Sequence, residues 1–362
     1  MYLQRLYLYN FRNIGELEVT FCPRINVIFG DNAQGKTAIL EAIHFLTTGR
    51  SFRTSHLADM IRWGAASFYL EADFVKYGIE QKIRVGCGEK ERQVVYNSSR
   101  YASLNSLLGI LQGCVITPDD SELIKGSPAI RREFLDLQIA QSDPLYIHYL
   151  ARYQRAMQQR NYLLRSKNSI SLESWELEMA DAAAYLTVQR QRAVDEVHLS
   201  GCDLHRALNA EHEILSIRYK ASPVSTASLA DVRGFYLEQW HKLRRREMEL
   251  GYTSLGPHKD DLLIAIGGHD VRDFASEGQQ RSCASALRFA QWQRLCRLSA
   301  EAPLMLLDDV GISLDESRRR KLLQHVVALG QVFLTSTQPL SHSFEGAEKQ
   351  IIRMENGRTH QF

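Results

Sequence analysis

The chain has 362 residues, and its hydrophobic fraction of 44% and charged fraction of 24% are those of an ordinary globular protein. Its 44 basic and 42 acidic residues nearly cancel, so any nucleic-acid surface must be a local patch. No apolar run approaches the roughly 18 residues that suggest a membrane span, and the N-terminus lacks the pattern of a signal peptide. The six cysteines are scattered without a C-x-x-C pair, which argues against a zinc site or a disulfide framework. We therefore expect a soluble, cytoplasmic protein with no membrane partner.

The N-terminal third is dominated by short strands. Alternating or continuous apolar residues, separated by polar turns, predict strands at 2–9, 16–21, 24–30, 67–74, 81–87 and 92–97. An apolar stretch (104–117) then leads into the segment 118–136.

The middle of the chain is helical in character. Between about 129 and 213, apolar residues recur at helical spacing, and a polar break at 165–171 separates two such stripes. This pattern predicts two long antiparallel helices, which form an inserted arm. A strand (214–219) and a helix (228–249) follow.

From residue 251 the strands return. We predict further strands at 262–268, 302–310, 331–337 and 349–354, with helices starting near 275 and 316. The expected fold class is α/β, with a mixed sheet, helices and an inserted helical arm.

Residues 30–37 read GDNAQGKT and fit the phosphate-loop pattern G-x-x-x-x-G-K-[ST]. An apolar strand precedes them, and a helix with apolar residues at helical spacing follows, ending at Gly49. In this context, glycines let backbone N–H groups point at phosphate oxygens, and the helix N-terminus adds a favourable dipole. Lys36 would reach the β- and γ-phosphates of ATP, and the Thr37 hydroxyl would bind Mg²⁺. The predicted nucleotide-binding residues of the loop are Gly30, Asp31, Asn32, Ala33, Gln34, Gly35, Lys36 and Thr37.

A second carboxylate for Mg²⁺ is expected on a strand next to the loop strand. The segment LMLLDD places Asp308 at the end of a buried strand, followed by Asp309. We predict that Asp308 binds Mg²⁺, largely through water, and that Asp309 orients or deprotonates the attacking water. Thr37 and Asp308 are far apart in the chain, which indicates a large insertion between the two halves of the site.

The segment SEGQQR (276–281) opens a helix about thirty residues before Asp308. A serine and a glycine at a helix start offer a hydroxyl and free N–H groups to phosphate, although such a pair is more often an ordinary helix cap. Placed before LMLLDD, the segment resembles the signature motif of the ABC ATPases, and it suggests Ser276, Gly278 and Gln279 as nucleotide-binding residues. In that superfamily, the signature of one subunit covers the γ-phosphate held by the other subunit.

These motifs, with NFRN (10–13), PDDSELIKGSPAIRREFLD (118–136) and GPHKDDL (256–262), resemble the RecF family of bacterial recombinational-repair ATPases, related to SMC and Rad50 heads. The resemblance runs nearly end to end. It implies an ABC-type ATPase head over 1–125 and 251–362 and a mainly helical arm over 126–250. It also implies an ATP-dependent homodimer with slow ATP hydrolysis, acting on single-stranded, double-stranded and gapped DNA. RecR and RecO are its implied partners in loading RecA.

Several residues keep two interpretations. Arg12 approaches the nucleotide or is a solvated turn arginine, and Lys125, Arg131 and Arg132 bind DNA phosphates or support the structure. His258 is expected to position its acidic neighbours.

Two departures from related patterns concern the loops near the site. Ile312 occupies a place where the family usually has serine, and 334–338 lacks the switch histidine of transporter ATPases. The alternatives are an SMC- or Rad50-like head, a transporter-type ABC subunit and a small-molecule kinase. Neither a transporter subunit nor a kinase explains the segments 118–136 and 256–262.

Overall fold

The computed structural model describes residues 1–89, 91–208, 214–221, 228–309, 316–340, 344 and 346–361. The chain divides into two compact units. Unit 1 comprises Met1–Ser121, Asp203–Glu211 and Ser276–Phe362, and unit 2 comprises Glu122–Cys202 and His212–Ala275.

Strands and helices are numbered in chain order. The strands are β1 (Tyr2–Phe11), β2 (Ile14–Thr20), β3 (Ile25–Phe29), β4 (Ser67–Lys76), β5 (Ile79–Gly88), β6 (Arg92–Tyr96), β7 (Ser99–Tyr101), β8 (Gly113–Ile116), β9 (Leu215–Lys220), β10 (Asp261–Ile266), β11 (His269–Asp270), β12 (Leu304–Leu307), β13 (Val332–Ser336), β14 (Lys349–Glu355) and β15 (Arg358–Gln361). The helices are α1 (Lys36–Thr48), α2 (Ser121–Lys125), α3 (Pro128–Ala140), α4 (Pro144–Arg165), α5 (Leu172–Leu208), α6 (Leu229–Leu250), α7 (Val271–Phe274), α8 (Glu277–Ser299) and α9 (Glu316–Val327).

Unit 1 contains two six-stranded sheets. The first is antiparallel, in the order β2-β1-β4-β5-β6-β7. Its alternating apolar side chains, such as Leu6, Leu8 and Leu70, are fully buried and share one core with α1 and the second sheet. Helix α1 is buried along nearly its whole length, and Ile39, Leu40 and Ile43, at 0% exposure, pack in this core.

The second sheet carries the phosphate loop and has the order β15-β14-β3-β13-β12-β8. β3 pairs in parallel with both β13 and β14, and β12 pairs in parallel with β13 and β8. The prediction that the strand of Asp308 lies next to the loop strand was therefore wrong, because β13 lies between β3 and β12. Since parallel strands end at the same edge, the loops after β3, β13 and β12 still meet there.

Unit 2 is mainly helical, with the small antiparallel sheet β11-β10-β9. Contacts between α4 and α5 show their relative direction, because Asp143, Arg152 and Arg160 pair with Tyr185, Glu178 and Glu176 respectively. Residues later in α4 therefore pair with residues earlier in α5, so the two helices are antiparallel, as expected. The region predicted to hold two helices also contains a third, α3, which ends before Pro144 starts α4.

The division between the units differs from the predicted domain bounds in three places: 122–125 and 251–275 belong to unit 2, and Asp203–Glu211 belongs to unit 1. The largest difference is at 251–275. The physical reason is pairing: β10 is hydrogen-bonded to β9, and Asp261 at the start of β10 forms an ion pair with the buried Arg131 of α3. No helix in the described ranges combines the length and apolar character that a membrane span requires.

Candidate nucleotide site

The phosphate loop links the end of β3 to the start of α1, as its flanking sequence predicts. Gly30 has φ of 152°, and a Cβ atom at this position would lie 2.3 Å from the carbonyl oxygen of Met354. Gly35 has φ of 105°, where L side chains are strained. Both glycines of the motif are therefore required by backbone geometry.

The N-terminus of α1 is open towards the loop. Its N-cap residue is Gly35, which has no side chain to cap the helix, and the first turn contains no acidic residue. Backbone N–H groups at such a helix start form an anion site, strengthened by the helix dipole. Among the predicted loop residues, Ala33 has φ of 64° and its carbonyl accepts from Asn13 Nδ2 at 3.0 Å.

The side chain of Lys36 is held by contacts with the loop backbone. Lys36 Nζ donates to the carbonyl oxygens of Gly30 (2.6 Å) and Asp31 (2.8 Å). Burial lowers the pKa of Lys36, and the nearby Asp309, Asp308 and Asp31 oppose this effect. The ammonium group therefore lies inside the loop, where phosphate would meet it.

Asp308 follows β12 and contacts the loop directly. Its Oδ1 accepts from Thr37 Oγ1 at 2.9 Å and from Thr335 Oγ1 at 2.7 Å. Burial raises the pKa of Asp308, and the two hydroxyls oppose this shift. The contact joins the two predicted halves of the site across 271 positions of sequence.

Thr335 is a site residue that sequence reasoning missed. It lies near the end of β13, and its Oγ1 also accepts from the backbone N–H of Asp309 at 2.7 Å. Asp309 itself has φ of 53°, an uncommon conformation for a residue with a side chain. The sequence does show a threonine near the end of a predicted strand. It does not show that this strand lies between β3 and β12, which is what brings Thr335 to the site.

These residues line one cavity of about 750 Å³. Its walls include predicted residues from the turn after β1, the phosphate loop with the start of α1, and the segment after β12: Arg12, Asn32, Ala33, Gln34, Gly35, Lys36, Thr37, Asp308 and Asp309. Gln34 Oε1 also accepts from the backbone N–H of Asn356. A cavity of this size accommodates a nucleotide.

Arg12 belongs to this cavity and is held by defined partners. Its guanidinium forms a two-pronged contact with the fully buried carboxylate of Glu41 on α1. A further nitrogen, Nη1, donates to the carbonyl of Asp59 at 2.6 Å. Arg12 is therefore not a solvated turn arginine, and its contact with the nucleotide stays a prediction.

The signature segment is not brought to this cavity within the described residues of the chain. Ser276 caps α8: its Oγ accepts from the N–H of Gln279 at 3.3 Å, and Gln279 Oε1 accepts from the N–H of Ser276 at 2.9 Å. Gly278 lies in the first turn, and its carbonyl accepts from Ser282 Oγ. Ser276, Gly278 and Gln279 thus form a regular capping box on their own helix.

Arg131, Arg132 and Lys125 are the three residues of unit 2 for which the sequence left both DNA binding and structural support open. Arg131 is 1% exposed and pairs with Asp261 at 2.7 Å, which makes it a support of α3 and not a surface for DNA. Arg132 Nη1 donates to the carbonyl of Asp260 at 2.8 Å, and Lys125 is exposed.

His258 bonds neutral partners instead of the expected acidic ones. Its Nδ1 lies 2.5 Å from the Tyr153 hydroxyl and its Nε2 lies 3.0 Å from the carbonyl of Thr253. Burial lowers the pKa of His258 to about 4, so the ring is neutral at physiological pH. The loop 311–315, with Ile312, lies outside the described residues.

Together, the sheet order and the phosphate-loop cavity define an ABC-type P-loop head. A family model described as "RecF/RecN/SMC N terminal domain" matches residues 2–360. The DNA replication and repair protein RecF of Protochlamydia amoebophila (strain UWE25) is 48% identical over 355 residues, 98% of this chain and 99% of that protein. RecF of Listeria monocytogenes serotype 4b (strain CLIP80459) is 35% identical over 93% of each chain. The chain belongs to the RecF family of DNA replication and repair proteins.

Solved structures agree with this assignment. The structure of the recombination mediator protein RecF-ATP in the RecFOR pathway has a TM-score of 0.91 and 28% identity, covering 100% of this chain and 97% of that one. An SMC head bound to the C-winged helix domain of ScpA has a TM-score of 0.57 at 16% identity over 100% of this chain and 98% of that one, and shows the shared fold alone.

Proposed function

We propose that this protein is an ATP-driven switch that dimerises on DNA at single-strand gaps and hydrolyses ATP slowly. The observation that carries the proposal is the contact of Thr37 and Asp308 at 2.9 Å beneath the open N-terminus of α1. This contact supports the proposal, because a hydroxyl and a carboxylate next to the N-terminal N–H groups of α1 are the groups that a nucleoside triphosphate with Mg²⁺ requires.

The residues present fit both ligands. Thr37 and Asp308 offer the hard oxygen donors that Mg²⁺ prefers, and two protein ligands suffice for an ion that keeps several waters and takes phosphate oxygens as well. When bound, Mg²⁺ neutralises charge on the β- and γ-phosphates.

The protein's own residues have distinct roles in this proposal. The loop from Gly30 to Gly35 cradles the phosphates, Lys36 supplies positive charge, and Asp309 orients the attacking water. Arg12 lies in the same cavity and is fixed by Glu41. Ser276, Gly278 and Gln279 cover the nucleotide held by a second copy, which agrees with their position outside the cavity of their own chain.

The DNA and protein partners follow from family membership. The related solved structures are described as a recombination mediator in the RecFOR pathway, one as RecF-ATP and one as RecF-ATPrS. We propose that this chain likewise binds single-stranded, double-stranded and gapped DNA and acts in the cytoplasm with RecR- and RecO-type proteins to assist recombinase loading. An SMC-like head with other partners is the second candidate, because the same family model covers both.

Substitution of Lys36 tests the nucleotide site. Lys36→Ala removes the only lysine that donates to the loop carbonyls in the described structure, so ATP binding in equilibrium dialysis should fall at least tenfold. Lys36→Arg retains the charge but not the compact head, and should bind ATP while hydrolysing it more slowly. Unchanged ATP affinity in Lys36→Ala would refute the site.

A further inference from the structure

The last two strands, β14 and β15, form a hairpin that lies against the phosphate loop and has no role in the proposed function. β14 pairs in parallel with β3, up to Arg353 opposite Phe29, so the two strands end at the same edge of the sheet. β3 leads there into the phosphate loop, and β14 leads into a turn at Asn356 and Gly357 and then into β15. All of these residues belong to unit 1.

The turn of this hairpin has a defined geometry that its sequence explains. Asn356 has φ of 50° and Gly357 has φ of 72°, and Glu355 pairs with Arg358 across them. Two central residues with positive φ form the two-residue turn that matches the twist of antiparallel strands, and Asn-Gly is a preferred sequence for it. The turn therefore holds the backbone N–H of Asn356 in a defined position.

Met354 of β14 supports the phosphate loop at both of its ends. A Cβ atom at Gly30 would lie 2.3 Å from the carbonyl oxygen of Met354, and one at Gly35 would lie 3.2 Å from its Cε. The Met354 side chain is 1% exposed and belongs to the hydrophobic core of unit 1. The first and the last glycine of the loop thus both lie against one residue that the core holds in place.

Two hydrogen bonds hold the middle of the loop. Gln34 Oε1 accepts from the backbone N–H of Asn356 at 2.5 Å. The carbonyl of Ala33 accepts from Asn13 Nδ2 at 3.0 Å. Asn13 also lies close to the hairpin, because a Cβ atom at Gly357 would be 3.6 Å from its carbonyl oxygen. The Gln34 side chain is therefore directed to the hairpin, which is compatible with phosphate binding by the backbone N–H groups of the loop.

We propose that the β14–β15 hairpin is a positioning element for the phosphate loop and that the Gln34 side chain is its tether. In this role Gln34 contributes its backbone N–H to the phosphates, while its side chain acts through the hairpin. A loop that the protein itself holds in a phosphate-binding form loses less conformational entropy when phosphate binds. The proposal rests on the proposed function, in which the loop binds ATP.

The competing role for the Gln34 side chain is a direct hydrogen bond from its Nε2 to a phosphate oxygen, which the contact of Oε1 with the hairpin does not prevent. A double-mutant cycle distinguishes the two roles. Gln34→Met keeps the approximate length of the side chain and removes its hydrogen-bonding atoms. Insertion of two glycines between Asn356 and Gly357 keeps Gln34 and breaks the two-residue turn that positions the Asn356 N–H.

ATP affinity is measured by calorimetry for the wild type, each variant and their combination, at a concentration at which sedimentation shows a monomer. Each variant alone should bind ATP about fivefold more weakly, the size expected for one net hydrogen bond. The combination should lose no more than the weaker-binding of the two. Losses that multiply in the combination, or wild-type affinity in either single variant, overturn the tether and leave the phosphate site standing. Failure of the wild type to bind ATP overturns the proposed function together with the tether.

Asn356→Gly is the matched control for the turn. It keeps the backbone N–H and tolerates the positive φ, so it should bind ATP as the wild type does. The urea unfolding midpoint of Gln34→Met should stay near that of the wild type, because its partner Asn356 is exposed. A loss of ATP affinity in Gln34→Met is then not a loss of folded protein.

Hydrogen exchange, followed by NMR, gives a second measurement. The Asn356 amide should exchange slowly in the wild type, both with and without ATP, and faster in Gln34→Met because its acceptor is gone. Ile352, a fully buried residue of β14, is the internal control and should exchange slowly in both proteins. Equal exchange of the Asn356 amide in the two proteins contradicts the tether.

Discussion

The two adjacent aspartates after β12 are in different surroundings and therefore suit different roles. Asp308 accepts hydrogen bonds from two hydroxyls, and burial raises its pKa. Asp309 has a positive φ, and its backbone N–H donates to Thr335 Oγ1. The Asp309 side chain lines the cavity and is the one that could meet a water beside the γ-phosphate.

Asp309→Asn should therefore separate ATP binding from hydrolysis. The amide keeps the shape of the carboxylate but removes the charge that orients water, so hydrolysis should fall by two orders of magnitude or more, a typical loss for a general base. ATP affinity should stay within a few-fold of the wild type, and the ATP-bound dimer should last longer. Hydrolysis at the wild-type rate in a single-turnover assay would remove Asp309 from the mechanism.

A buried histidine makes stability depend on pH. His44 lies in the middle of α1, and its Nδ1 lacks a hydrogen-bond partner among the described residues. Burial, assisted by the positive charge of Arg288, lowers the pKa of His44 to about 3. In the unfolded chain a histidine has a pKa of about 6.5. Below that pH the unfolded state binds a proton that the folded state does not, so stability falls as pH decreases through this range.

Between pH 7 and pH 5, this single group should lower the free energy of unfolding by about 2 kcal/mol. Urea titrations at the two pH values measure the difference. His44→Leu should reduce this difference by about 2 kcal/mol, even if the variant is less stable at both pH values because of repacking. The contribution of His258, whose pKa burial also lowers to about 4, should remain. His241→Leu, at an exposed position of α6, is the control and should leave the wild-type difference in place. An unchanged pH dependence in His44→Leu would contradict this account.

At the scale of elements, unit 2 is held by a buried ion-pair cluster between its helices. Arg160 of α4 is 0% exposed and contacts Glu176 of α5 at 2.9 Å and Glu247 of α6 at 2.7 Å. Its Nη1 also donates to Thr253 Oγ1. One guanidinium therefore connects three helices and the segment after α6.

Arg160→Ala should destabilise the protein strongly, because it leaves the fully buried Glu247 carboxylate without its counter-ion and leaves the buried Glu176 with Arg244 alone. The expected loss is about 3–5 kcal/mol in the free energy of unfolding. Arg152→Ala is the matched control on the same helix: its pair with Glu178 is 28% and 40% exposed, and its loss should cost less than about 1 kcal/mol. Equal effects of the two substitutions in urea unfolding would show that Arg160 does not hold the helices together.

Local sequence was sufficient for most elements and for the phosphate loop. The pattern of GDNAQGKT between an apolar strand and an apolar helix placed Lys36 and Thr37 correctly at the start of α1, because strand, glycine turn and helix are neighbours in the chain. The order of strands depends on contacts distant in sequence, so the insertion of β13 between β3 and β12 was not foreseen. Thr335 was missed for the same reason.

At the scale of the whole molecule, the boundary between the units could not be read from composition. Residues 251–275 resemble the strand-rich N-terminal third in composition. They nevertheless belong to unit 2, because β10 pairs with β9 and Asp261 pairs with Arg131. A strand's partner is chosen by tertiary contacts, and composition does not encode it. Composition likewise does not encode how two copies of the chain contact each other, and mutation can test that arrangement.

The proposed dimer predicts that two defective variants restore one site when mixed. If ATP is held between two copies, Ser276 and Gly278 of one copy act on the nucleotide bound by Lys36 of the other. Ser276→Arg adds bulk and charge at the start of α8, so it should bind ATP as a monomer and fail to dimerise. A mixture of Ser276→Arg with Lys36→Ala forms a mixed pair in which one of the two sites has an intact loop and an intact signature segment.

Sedimentation with ATP, of each variant alone and of the mixture, measures the outcome. Each variant alone should remain monomeric, and the mixture should contain a dimer. Ser276→Ala is the control, because it removes the capping hydroxyl without adding bulk, and it should dimerise more readily than Ser276→Arg. DNA binding should follow the dimer and weaken as salt increases, because phosphate contacts release counterions. Normal dimerisation of Ser276→Arg would show that α8 does not face the nucleotide of a second copy, since an arginine at its first turn cannot be accommodated against bound phosphates without displacing them or the helix.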